Sequence, residues 1–120
     1  MLLQVLKSKL KSVVVTDASV DYEGSLTLDP VLMDAAGLFP YERVEVNGIN
    51  KSHRLVTYVM PGHHMSGQVE MNGAMANFFQ PGDRVHVNCF KYGDPISELS
   101  RTDKPIVVVT DDRNMITEIR

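Results

Sequence analysis

The residue pair in this 120-residue chain with the most chemistry to offer is Gly24-Ser25, inside the tetrapeptide Tyr22-Glu23-Gly24-Ser25. A serine hydroxyl is a weak nucleophile at neutral pH, so a fold must supply both proximity and stabilisation of developing charge. A glycine before it presents no Cβ to an approaching hydroxyl and tolerates unusual backbone angles. Taken alone, the same four residues also describe a loop whose serine merely starts a strand. Farther on, Arg54 can hold a carboxylate through two parallel hydrogen bonds. Tyr58 carries a phenol that is protonated at neutral pH and able to give up its proton. Taken bare, these two read first as a solvated surface charge and a packed strand aromatic.

Strand alternation relates these side chains. In an extended segment Arg54, Val56 and Tyr58 face one way and Thr57 the other. A carboxylate clamp and an acid on one face suit a pocket, whereas Thr57 joins them only through a twist, a bulge or a site shared between subunits. Lys7, Lys9 and Lys11 share one strand parity, so parity does not choose among them as a second cation. Adjacent His63 and His64 would point to opposite faces of a strand, and no Cys or acidic residue has ligand spacing with them, so no metal site is assigned. The single cysteine, Cys89 in Val-His-Val-Asn-Cys-Phe, reads as a small buried hydrophobe. It has no internal disulfide partner, which fits a reducing cytoplasm.

The elements that must position these groups read mainly as strands. Apolar β-branched runs recur at residues 12–16, 43–46, 54–60, 84–90 and 106–109, with shorter alternating runs at 25–28, 68–71 and 115–119. Residues 111–114 suit the turn of a terminal hairpin. Asp29 and Pro30 fit the N-cap and first position of a short helix over 31–36, and Gly37 fits its stop. Asn72-Gly73 favours a tight turn, residues 74–79 one or two helical turns, and 91–104 are polar and irregular. Many short strands with one or two short helices predict a small, closed or nearly closed β-barrel. The length predicts a single domain, 1–120. A net charge of −3, with 43% hydrophobic and 22% charged residues, argues against disorder and gives no basic footprint for nucleic acid or anionic membrane. The opening Met-Leu-Leu-Gln-Val-Leu-Lys lacks the ordered regions of a secretory signal.

Read end to end, the chain resembles the bacterial L-aspartate 1-decarboxylases, a self-processing, pyruvoyl-dependent family. The resemblance is carried by Lys9, Val15-Thr16-Asp17-Ala18, Tyr22-Glu23-Gly24-Ser25 and Leu32-Met33-Asp34-Ala35-Ala36-Gly37. It continues through Arg54, Thr57-Tyr58-Val59, Asn72-Gly73-Ala74 and Pro81-Gly82-Asp83. It implies a double-psi β-barrel assembled as a homotetramer. It implies self-cleavage between Gly24 and Ser25 into a β chain (1–24) and an α chain (25–120). In that reaction the Ser25 hydroxyl attacks the Gly24 carbonyl to give an ester. Elimination then releases the upstream chain, ending in the Gly24 carboxylate, and leaves dehydroalanine, which hydrolyses to a pyruvoyl group and ammonia. The pyruvoyl group, in place of pyridoxal phosphate or a metal, forms a Schiff base with L-aspartate and serves as electron sink for its decarboxylation to β-alanine, a precursor of pantothenate and coenzyme A.

By the same resemblance Thr57 stabilises the processing intermediate, Tyr58 is the proton donor, and Lys9 and Arg54 hold carboxylates. Asn72, Gly73, Ala74 and Met75 form the substrate loop, Met75 standing where the family usually has alanine. If only its backbone meets substrate that change is harmless; a side chain in the pocket would alter affinity or processing. Some relatives need a maturation partner for cleavage. If Gly24-Ser25 stays intact, the runner-up is a non-enzymatic small β-barrel that binds a ligand or partner.

Overall fold

The computed structural model describes residues 1–23 and 25–120; Gly24, the acyl side of the expected cut, lies outside the described residues. Among the described residues nine strands form one mixed sheet: β1 (Leu3–Val14), β2 (Asp17–Ser19), β3 (Leu26–Leu28), β4 (Arg43–Gly48), β5 (Arg54–Pro61), β6 (Val69–Asn72), β7 (Arg84–Gly93), β8 (Ile106–Thr110) and β9 (Ile116–Ile119). Their spatial order is β2-β6-β3-β5-β4-β7-β1-β8-β9. Residues from strands far apart in that order, such as Met71 of β6 and Val108 of β8, belong to the same buried cluster. The sheet therefore curls around one core, as the expected small β-barrel requires.

The first strand is longer than the run at 12–16 suggests. Alternation of polar and apolar residues carries β1 back to Leu3, with Ser8, Leu10 and Val13 fully buried. It pairs antiparallel with β7 and parallel with β8, so it lies inside the sheet. Two register shifts interrupt the β1–β7 ladder, one between Leu6 and Ser8 and one between Leu10 and Val13. Ser12 sits in the second with φ +56°, and its N–H is accepted by His86 Nδ1 at 3.0 Å. Burial and the nearby Lys9 and Lys11 hold the His86 imidazole below its ordinary value, which keeps that nitrogen free to accept.

The short strand β2 escaped the pattern, since three residues carry no period; it pairs parallel with β6. Part of the segment expected to be irregular, from Lys91 to Gly93, continues β7. The terminal hairpin forms as expected, with β8 antiparallel to β9. It is tied down by Asn114, whose side chain exchanges hydrogen bonds of 2.8 Å with the N–H and C=O of Val14 and donates to Gly67 O.

Helix α1 (Pro30–Ala36) follows from its ends. Asp29 Oδ1 accepts from Val31 N–H at 2.9 Å, Pro30 occupies the first turn, and Gly37 closes the helix at φ +69°. Leu32, Met33 and Ala36 are its buried face. Asp29, 2% exposed, also accepts from Met65 N–H at 3.0 Å and Gly67 N–H at 2.9 Å, joining the helix to the loop after β5. Losing a cap and leaving two partly buried amides unpaired costs more than a cap alone. Asp29→Ala should therefore lower unfolding stability by about 3 kcal/mol, measured by denaturant titration, with Asp29→Asn losing less.

Candidate active site

Strand β3 organises the site. Leu26 and Leu28 are fully buried on its core side, so period-two alternation turns Ser25 and Thr27 to the other side. On one flank β6 runs antiparallel, with Leu26 opposite Met71. The ladder extends one step farther, because Asn72 N–H donates to Ser25 O at 3.0 Å. The fully buried Asn72 side chain then lies beside the same two residues. Its Nδ2 donates to Thr27 Oγ1 at 2.8 Å and to Ser25 Oγ at 3.3 Å, while its Oδ1 finds no partner among the described residues. Ser25 itself is only 3% exposed.

On the other flank β5 runs parallel to β3, with Leu26 beside Val59. One step back along both strands puts Ser25 alongside Tyr58, so Tyr58, Ser25 and Asn72 form a row across three strands. Tyr58 is half-buried and stacks on Tyr41, ring centroids 6.1 Å apart and planes inclined by 26°. Tyr41 holds a left-handed φ of +70°, a costly conformation for so bulky a residue.

The expected alternation along β5 holds. Arg54, Val56 and Tyr58 share the outer face, opposite Arg43, Glu45 and Asn47 of β4. Thr57 sits with the core-side residues, opposite the buried Val44. The β4–β5 register runs without a shift from Arg43–Tyr58 to Asn47–Arg54, so no bulge turns Thr57 outward. The Arg54 side chain is 74% exposed; its Nε donates to Asn47 Oδ1 at 2.8 Å and stands 4.0 Å from Glu45 Oε1. Among the described residues its two terminal nitrogens make no hydrogen bond, which leaves the forked end free for an anion.

The three lysines of β1 are not equivalent. The first register shift diverts Lys7, whose Nζ binds both Glu42 oxygens at 2.7 and 2.9 Å and Gly37 O at 2.9 Å. Lys9 keeps the outer face: it pairs with Asn88, Asn88 with Glu45, and Glu45 with Val56. Lys9, Arg54 and Tyr58 therefore share one face of the sheet. Yet β1 is four strands from β3, on the order of 19 Å across the ladder at ~4.8 Å per strand. Followed along the ladder, that is farther than a lysine side chain reaches.

The loop after Asn72 is a 3-10 turn over Gly73–Asn77 rather than a two-residue turn, entered through Gly73 at φ +67°. Ala74 is exposed, whereas Met75 packs in the core at 6% exposure. The larger side chain at 75 thus serves packing, which accommodates the departure from alanine. Asp83 of Pro81-Gly82-Asp83 braces another loop, accepting from Asn50 Nδ2 at 3.0 Å and pairing with Lys51 at 2.7 Å. His63 and His64 are both exposed, and the described residues contain no group of three His, Cys, Asp or Glu able to hold a metal. Burial pushes the Cys89 thiol up to about 11, so it stays a neutral packing group.

Three contributors went unread in the sequence. Thr27 was legible, since Leu-Thr-Leu alternation puts it on the side of Ser25. Asn47, which steadies Arg54, follows only from the hairpin register. Tyr41 carries no pattern at all, because its place depends on a left-handed turn.

A family model described as aspartate decarboxylase matches residues 1–117. An aspartate 1-decarboxylase of Clostridium beijerinckii is 43% identical over 119 residues, covering 99% of this chain and 94% of the relative. One from Dehalococcoides mccartyi is 43% identical over 97% of this chain and 92% of its own length, and one from Bacillus cereus 41% over 96% and 89%. By sequence match along nearly its whole length, the chain belongs to the aspartate decarboxylase family.

Proposed function

We propose that this protein is a carboxy-lyase that converts L-aspartate to β-alanine and carbon dioxide, using a pyruvoyl group that it makes from its own Ser25 by cleavage after Gly24. The observation that carries this reading is the row Tyr58–Ser25–Asn72, in which a buried serine hydrogen-bonded to the Asn72 amide lies on the strand beside the one that carries Tyr58. The family match weighs against the alternative of a non-enzymatic barrel.

The residues fit such a group. Asn72 Oδ1, buried and unpaired among the described residues, leaves hydrogen-bonding capacity beside Ser25, and Asn72 holds Ser25 through both its backbone and its side chain. When present, the pyruvoyl ketone would supply an electron sink for the bond to the departing carbon dioxide. The chain's own side chains do the rest. Arg54 offers a free guanidinium fork to a substrate carboxylate. Tyr58, alongside Ser25, is the proton donor at the decarboxylated carbon. Gly73 and Ala74 bring backbone close to the substrate. Thr57 is assigned to the processing intermediate by family resemblance, and from its core-side position it would reach that intermediate only after a local rotation.

Lys9 completes the carboxylate clamp from a second copy, because its own Ser25 lies four strands away. This supports the homotetramer of the family, with sites built between chains. No helix among the described residues is long and apolar enough to cross a membrane. A buried, unpaired cysteine suits a cytoplasmic enzyme supplying pantothenate and coenzyme A synthesis. Whether a maturation partner accelerates cleavage is read from the same cleavage assay with and without host lysate.

Intact-mass measurement of the purified protein should give two fragments, 1–24 and 25–120, the larger lighter by one ammonia than a free serine terminus requires. Ser25→Ala should remain one chain without decarboxylase activity; a cut and active Ser25→Ala protein would overturn the assignment. Tyr58→Phe should still cut but lose turnover by about 10²- to 10⁴-fold, and normal turnover would remove Tyr58 from its role. Co-expression of Ser25→Ala with Lys9→Ala should restore activity that neither has alone, since one chain supplies the pyruvoyl group and the other the cation. No restoration would mean that each site is built within one chain.

A further inference from the structure

The hydrogen bonds around Ser25 are unequal. Asn72 Nδ2 makes its shorter contact, 2.8 Å, with Thr27 Oγ1 and its longer one, 3.3 Å, with Ser25 Oγ. An amide is planar, so fixing one of its N–H bonds fixes the direction of the other. Thr27 is therefore placed to set where Asn72 aims its second N–H, and with it the rotamer of the serine hydroxyl.

Thr27 is itself locked. Its Cβ bears a methyl and a hydroxyl, and a β-branched side chain has few χ1 choices. The methyl lies over Gly62: a Cβ added to Gly62 would stand 2.8 Å from Thr27 Cγ2 and 2.2 Å from Gln68 Oε1. Gly62 is in turn held at the end of β3 by its N–H to Leu28 O at 2.7 Å. Only a glycine lets the backbone approach this closely. With the methyl seated on Gly62, the hydroxyl points to Asn72.

We propose that Thr27, seated on Gly62, is a positioning residue for self-cleavage: it orients the Asn72 amide, which holds the Ser25 hydroxyl ready to attack. The inference rests on the reading of Ser25 as the processed residue. Thr27 forms no bond with the reacting atoms and contributes through geometry, to which intramolecular attack is steeply sensitive.

The test is the cleavage rate of freshly synthesised precursor, followed by the appearance of fragment 25–120 on gels and by intact mass. Thr27→Val keeps the shape and methyl but removes the hydroxyl, and should slow cleavage by about tenfold or more. Thr27→Ser restores the hydroxyl and should cut within about threefold of wild type, a rescue that a purely packing role would not produce. Gly62→Ala, which crowds the methyl, should also slow the cut while leaving both hydroxyls in place. Thermal melting of the Ser25→Ala background with and without each change identifies a variant that fails to fold, in which case the remaining two decide. Equal rates for Thr27→Val and wild type, or a Thr27→Ser protein as slow as Thr27→Val, would overturn the role of Thr27 alone. A wild-type chain that never cuts would instead remove the reading of Ser25 on which it stands.

Discussion

The site depends on the burial of Leu26 and Leu28. Two leucines with no solvent exposure, one residue apart, commit a three-residue strand to a single orientation. A slip by one residue would expose both leucines and drive Ser25 and Thr27 into the core, at a cost of several kcal/mol in lost apolar burial and unpaired hydroxyls. With that alternative closed, the neighbours are fixed as well. The antiparallel partner can offer only Asn72 at the level of Ser25, and the parallel partner only Tyr58. The places of Ser25, Asn72 and Tyr58 along their strands thus all follow from one hydrophobic anchor.

A second constraint comes from the outer face of the sheet. The cations suited to a dicarboxylic acid, Lys9 and Arg54, lie on the same face but in strands separated by β7 and β4. Seen from outside, a curved sheet is convex, so such side chains diverge rather than converge. Convergence on one substrate, as proposed above, would need surfaces apposed between chains. Association would also supplement the modest core that so short a chain can bury.

Much of this was legible in residue types and spacing. Asp29-Pro30 and Gly37 mark both ends of α1, and the alternation of Arg54, Val56 and Tyr58 gives their shared face. What periodicity could not give was registration between strands. Parity alone makes Lys7, Lys9 and Lys11 equal, and a register shift invisible in the sequence separates Lys7, which becomes a strut to Glu42. Thr57 likewise reads as a neighbour of Tyr58, yet adjacency along a strand means opposition across it. Three-residue β2 has too few positions to show a period, and the left-handed Tyr41 is decided by what it stacks on rather than by its own propensity.

The place of β1 has a consequence for the life history of the molecule. This strand precedes Gly24, yet it lies between β7 and β8 and sends Leu10 and Val13 into the core. A peptide broken after residue 24 would stay clasped, and the break would leave the shape almost untouched. Denaturation would then separate two polypeptides, and renaturation would require them to find each other at a rate set by concentration. The intact chain meets no such condition, because its first strand is tethered to the rest. Maturation at this bond would turn a reversible fold into one assembled only once.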